Sequence, residues 1–213
     1  VRIRTTLVGL LALFPLTASA SPYDRPHGGF FLRLHQATLV SDDIPDRFIE
    51  PYTGFGAGVF AAIPTGNVLA LQAEAAFSRR GGRVVVKEAG FEGEDTYRFD
   101  YLELATLLRL GLPLGPATQL YLEGGLALAL LLDAELDGYY TDGYLYDSYS
   151  EDVTEYLESP EPCALLGAGI SFPMGSTGLL LGVRYQWGLI DPVKQFPVEV
   201  RSRNLAIQLG MAF

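Results

Sequence analysis

The residues with the means to do chemistry are charged side chains that share one face of an alternating pattern. Arg33, Arg109 and Arg184 fall in phase with Glu74, Glu103 and Glu123, three of each sign. Enclosed together, they would neutralise one another in a poorly hydrated core; reached by water, they would offer an ion or proton path. His35 lies on the same face without a Ser or carboxylate at a recognisable spacing, so it reads as a polar core residue rather than a general base. Cys163 is the single cysteine, which excludes an internal disulfide and a multi-cysteine zinc site, and two histidines leave little for a His-rich metal centre. No catalytic residue, cofactor or metal site is expected.

A second group is compositional. From Glu135 to Glu161 there are nine acidic residues and no Lys or Arg, and six of the twelve tyrosines fall within the stretch. One reading is a solvated surface loop over 134–162. The sharper reading makes Tyr139, Tyr140, Asp142, Tyr144, Tyr146, Asp147 and Tyr149 a contact surface, because tyrosine supplies rigid amphipathic area and carboxylates recruit divalent cations that bridge to lipopolysaccharide phosphates. The acidic spacing does not fit an EF-hand. Asp142-Gly143 has the chemistry of a hairpin tip prolonging the flanking strands.

The chain that must position these residues has 213 residues, 49% of them hydrophobic, and a net charge of -10. That charge argues against nucleic acid, and the hydrophobic fraction against disorder. No apolar run reaches the roughly 18 residues of a spanning helix. Residues 1–20 read as a secretory signal peptide, with Arg2 and Arg4 before an apolar run from Leu7 to Leu16 and then Ala18-Ser19-Ala20. Cleavage after Ala20 would remove two arginines, take the charge to -12, and leave residues 21–213 as one domain. Val1 suggests a GTG start and a bacterial gene. The stretch 21–29 is too short for a periplasmic module, and no peptidoglycan-binding domain is expected after Phe213.

Eight segments alternate with strand period: 30–40, 55–63, 68–78, 97–112, 119–133, 163–172, 178–187 and 204–213. In the last, Leu205, Ile207, Leu209, Met211 and Phe213 oppose Asn204, Ala206, Gln208, Gly210 and Ala212. Phe60 and Leu180 break the pattern, and Phe99 and Tyr101 fall on the phase opposite the leucines of their segment, which suggests a bulge or rim near residue 100. Tight turn chemistry at 64–67, 113–116 and 173–176 alternates with long connections at 41–54, 79–96, 134–162 and 190–202, as in a membrane barrel. The less bulky face is mostly Gly, Ala and Gln, which suits a narrow interior better than contact with water, and the bulky face carries almost no charge. Tyr185, Trp187 and Phe213 match an aromatic girdle. The fold class expected is all-β, an eight-stranded antiparallel up-and-down transmembrane β-barrel with both termini on the short-turn, periplasmic side.

The stretches LQAEAAFSRRGG (71–82), DYLELATLLRL (100–110), YLEGGLALALLLDAEL (121–136), VRYQWGLIDP (183–192) and RNLAIQLGMAF (203–213) resemble the PorT-like outer-membrane β-barrel family. The resemblance implies a small outer-membrane barrel of a Gram-negative bacterium and brings no catalytic residues. The expectation is a non-enzymatic structural or surface-interaction protein. Its partners would be outer-membrane lipid and lipopolysaccharide, the barrel assembly machinery through the strand ending at Phe213, and an unidentified surface protein. Two alternatives stand beside it: a lipid- or peptide-directed outer-membrane hydrolase, which a Ser-His-acid cluster inside or at the rim would favour, and a soluble periplasmic ligand-binding barrel.

Overall fold

Alternation of bulky and small side chains builds nine antiparallel strands in the computed structural model, which describes residues 25–40, 48–88, 90–115, 118–141, 144–157, 159–174, 177–190 and 201–213. They are β1 (His27–Val40), β2 (Ile49–Pro64), β3 (Leu69–Glu88), β4 (Phe91–Gly115), β5 (Thr118–Thr141), β6 (Tyr146–Asp152), β7 (Glu161–Met174), β8 (Thr177–Gly188) and β9 (Arg201–Ala212), with a 3-10 turn at Thr154–Tyr156. The expected signal segment 1–20 lies outside the described residues.

Eight strands close a ring. β1 to β5 pair in order, β5 pairs with β7, β7 with β8 and β8 with β9, and β9 returns to β1. The seam between β1 and β9 runs from Val40↔Arg201 to Gly29↔Ala212, and Gly28 and Phe213 then exchange both backbone hydrogen bonds. A ring leaves no sheet edge in the apolar layer, where an unpaired N–H or C=O would have nothing to bond.

The leucine phase faces outward. Leu32, Leu34, Val59, Leu104, Leu108, Leu126, Leu166, Val183 and Ile207 are each about half exposed, while Arg33, Gln72, Glu103, Arg184 and Gln208 on the alternate phase are buried. The rings of Tyr185 and Trp187 meet at a tilt with centroids 5.8 Å apart, and those of Phe55 and Phe77 at 5.9 Å, toward one end of the band, and Phe30 meets Phe213 at 6.4 Å toward the other. The positions that broke the pattern have an inward role: Phe60 and Leu180 join Phe31, Ala62, Ala76, Tyr121 and Ala212 in an apolar cluster at the short-turn end. Glycines on facing strands make room for it. A Cβ on Gly58 would lie 2.6 Å from the Phe31 ring.

The bulge expected near residue 100 is present as a register shift at Asp100/Tyr101: Asp100 pairs with Asp133 and Tyr101 with Leu131, so the extra residue is Leu132 on β5, and Tyr101 points inward and is buried. One sequence expectation needs correction: 79–96 and 134–162 are not long loops. β3 and β4 stay paired from Leu69↔Leu110 to Glu88↔Phe91, and β4 and β5 stay paired to Glu92↔Thr141. Hydrophobic alternation stops at Leu102, where the apolar band ends, but pairing continues, held by charge pairs and by the β-branched run Val84–Val86. The ten residues from Phe91 to Asp100 carry β4 about 33 Å along its axis beyond that band.

Candidate functional site

The interior is built from strand phase. Arg33 on β1, Glu74 on β3, Glu103 and Arg109 on β4, Glu123 on β5 and Arg184 on β8 all point into the ring and are each at most 9% exposed. Arg184 is the hub. Its Nη1 donates to Glu74 Oε2 at 2.6 Å, its Nη2 to Glu74 Oε1 at 2.9 Å, and its Nε to Glu123 Oε1 at 2.8 Å. Glu74 also accepts from Arg33 Nη2 at 2.5 Å and from Gln72 at 2.6 Å, while Arg109 Nη2 donates to the other Glu123 oxygen at 2.9 Å. Arg33 Nε donates to Gln208 at 2.8 Å. Gly167 leaves the space for Glu123, since a Cβ there would sit 2.9 Å from its Oε1.

Two further charges belong to the interior that the sequence reading left out. Arg80 and Glu161 are 3% and 0% exposed. Arg80 Nη2 lies 3.1 Å from Glu103 and 4.0 Å from Glu161, and its guanidinium stacks 4.4 Å over the Tyr101 ring. Glu161 accepts from Ser202. The phase of Gln72, Glu74 and Ser78 carried one more step reaches Arg80, which was the available signal. Among the described residues the interior thus matches four arginines with four glutamates, and eight strands leave a bore that side chains of this size fill. A recess of about 40 Å³ beneath Arg109, lined by His27, Asn67, Gln119 and Ser171, opens at the short-turn end and stops at Tyr121 and Leu180.

His35 has partners that its isolation in the sequence hid. Ser78 Oγ stands 3.4 Å from His35 Nε2, and Asn204 Nδ2 stands 3.0 Å from Nδ1. This row has the residue types of a nucleophile, base and orienting group, yet Ser78, His35 and Asn204 are each at most 2% exposed. No substrate carbonyl can approach the hydroxyl through that packing, so the row serves as a buried polar layer, in which Asn204 Oδ1 has no hydrogen-bond partner among the described residues.

The second candidate group lies on the sheet that continues past the apolar band. Tyr139 and Tyr140 end β5, Tyr144 precedes β6 at 98% exposure, and Tyr146, Asp147 and Tyr149 are on β6; Asp142 lies outside the described residues. β6 pairs with β5 from Thr141↔Tyr146 to Glu135↔Asp152. The region read as a 134–162 loop is therefore a strand, its return arm and a 3-10 turn that packs back on β5, with Val153 N–H donating to Ala134 O at 2.9 Å and Ala134 N–H to Thr154 Oγ1 at 2.9 Å. Tyr139 and Tyr146 stack at 6.0 Å on one face. On the other, Tyr149 donates to Asp95 and Tyr140 to Asp147 at 3.2 Å. The bond to Asp95 pushes the Tyr149 phenol up to about 12, burial adding less, and the Thr154 backbone N–H holds the Asp152 carboxyl below its usual range. The basic residues of the projecting sheet are engaged: Arg98 with Glu135 and Asp137 at 2.6 Å each, Arg83 with Glu94 at 3.0 Å, and Lys87 with Glu92 at 2.8 Å. Among the described residues, Asp147, Glu151 and Asp152 have no ion pair. No cluster of three or more His, Cys, Asp or Glu that could hold a metal ion is present among the described residues.

A closed ring of eight strands with an apolar outer band and an ion-paired interior is the architecture of a barrel that sits in an outer membrane. The chain matches the outer membrane protein beta-barrel domain family over residues 25–193 and belongs to that family. No curated protein matches it. Among solved structures it is similar to neisserial surface protein A, at 14% identity over 86% of this chain and 95% of that one with a TM-score of 0.46. It is also similar to Ail, the attachment invasion locus protein of Yersinia pestis, at 14% identity over 89% and 99% with a TM-score of 0.38. The outer membrane protein AlkL in lipid bilayers gives 13% identity over 94% of each chain and a TM-score of 0.44.

Proposed function

We propose that this outer-membrane barrel is a sealed, non-enzymatic anchor that displays the β3–β6 sheet at the cell surface as a contact module. One observation carries the reading: among the described residues four arginines and four glutamates fill the bore, while β3, β4 and β5 continue past the apolar band into water and β6 pairs with β5 beyond it. Termini on the short-turn side are periplasmic in this reading, as expected if residues 1–20 direct export in a Gram-negative envelope. The long-hairpin end then meets lipopolysaccharide, and the strand ending at Phe213 is what the assembly machinery engages. The PorT-like affiliation is part of the proposal, supported by the strand segments quoted above. The hydrolase alternative finds its Ser-His pair only behind a closed wall.

The test has two arms. Purified protein in a planar lipid bilayer gives no conductance steps; regular steps would overturn the sealed interior. On intact cells, a photo-cross-linking phenylalanine analogue in place of Tyr144 forms adducts with a macromolecule outside the cell, and adducts only with periplasmic components would overturn the orientation and the surface role.

A further inference from the structure

The strand β6 closes no ring. Among the described residues the sheet order ends on it and its one paired neighbour is β5, and all seven of its residues are exposed. An edge of this length presents alternate N–H and C=O groups over about 20 Å, the template onto which an extended segment adds. Proteins usually blunt such edges with Pro, Lys or a bulge. YDSYSED has neither Pro nor Lys, and its register against β5 is unbroken.

The edge is also held ready. Tyr149 ties β6 to Asp95 two strands away, and Tyr146 stacks on Tyr139, so little ordering remains for a ligand to supply. Its charge narrows the occupant. A second copy adding antiparallel about Tyr149 would set Asp147 directly opposite the copy's Glu151, twice, and like charges across a ladder repel. Asp147 and Glu151 lie four residues apart on one face with Tyr149 between them, and the basic residues nearby are committed to other carboxylates.

We propose that the free edge of β6 takes up an extended basic segment of a partner polypeptide by strand addition. Lys or Arg at positions i and i+4 of that segment would stand opposite Asp147 and Glu151, with a small or apolar residue facing Tyr149. This inference rests on the surface role proposed above and names the chemistry of the partner.

The probe is a fluorescein-labelled peptide, Thr-Lys-Thr-Val-Thr-Lys-Thr, titrated against the full chain refolded in detergent micelles at low salt. Saturable binding is expected, with hydrogen exchange across Tyr146–Asp152 slowed at least about tenfold in the complex, and with affinity falling at least about tenfold in the Asp147→Lys/Glu151→Lys variant. Both positions are exposed, and an unchanged barrel melting temperature establishes that the variant is folded. A control peptide with proline in place of the threonines cannot add as a strand. Equal binding of that control, unchanged exchange in β6, or no binding of the lysine peptide would overturn strand addition. If Tyr144 still cross-links outside intact cells, those results sink the edge inference alone; absent cross-links sink the surface role itself.

Discussion

Tyr149 on β6 donates its phenolic hydrogen to Asp95 on β4, reaching across the intervening strand β5 at Gly138. Gly138 is paired with both Asp95 and Tyr149, and a Cβ at Gly138 would run into the Tyr149 ring. One missing side chain thus lets two strands that are not neighbours be joined, and the return arm is fastened to the sheet rather than hanging from it.

That bond makes Tyr149 a late-titrating phenol. Its pKa is raised to about 12 in the fold, so the stabilisation it gives β6 is full below the unfolded value of about 10 and is lost as pH rises through about 12. In a tyrosinate absorbance titration, the difference between the parent and Tyr149→Phe isolates a component near pH 12, and Asp95→Asn moves it toward 10. A Tyr149 component already complete near pH 10 would show that the bond does not form.

Sidedness can be read at adjacent positions. Leu128→Arg puts charge on the outward face in the apolar band and costs about 2–4 kcal/mol in a urea refolding titration in liposomes. Ala127→Ser, inward beside Ala105 and Cys163, costs about 1 kcal/mol. Equal costs would reject the phase of β5.

The interior and exterior ion pairs are of the same residue types and differ in burial, so they differ in worth. Arg98→Ala, losing two exposed partners, costs under about 1 kcal/mol. Glu123→Gln, which leaves Arg184 and Arg109 short of a counter-charge in a closed bore, costs about 3–5 kcal/mol. In double-mutant cycles Glu123 couples to Arg109 and Arg184 by more than about 0.5 kcal/mol. Comparable losses for Arg98→Ala and Glu123→Gln would mean that water reaches the bore.

Shortening the projecting hairpin leaves the barrel alone. Replacing residues 139–148 with Asn-Gly joins Gly138 to Tyr149 through a two-residue turn while keeping the 153–157 segment packed on β5. The heat-unfolding midpoint of the variant stays within about 3 °C of the parent. A larger drop would make the hairpin part of the fold's foundation.

The ring was legible because apolar surroundings leave a strand few choices: Leu179, Leu181, Val183 and Tyr185 must be apolar where they face outward, and Arg184 on the alternate phase then points in. Outside the band that compulsion ends. Glu92, Glu94, Arg98 and Asp100 fall on one face as regularly as leucines do, but their partners Lys87, Arg83, Glu135, Asp137 and Arg79 come from other strands and appear only once the register is known. The same holds inside. His35 meets Ser78 and Asn204, which are 43 and 169 positions away in the chain, and no local spacing announces either contact.

The seam between β1 and β9 sets the order in which the molecule can form. Its pairs join residues near 30 to residues near 210, so seven of the eight ring pairings connect segments closer in the chain than this one. Such a contact carries the largest loop-closure entropy and is favoured only after the intervening ladders have brought its ends together. Until then β1 and β9 are two open edges with greasy outer faces, prone to pair with the wrong neighbour. The last event in folding is therefore a zip along twelve paired residues, ending at Gly28 and Phe213, and a nascent chain that lacks β9 has no way to become a cylinder.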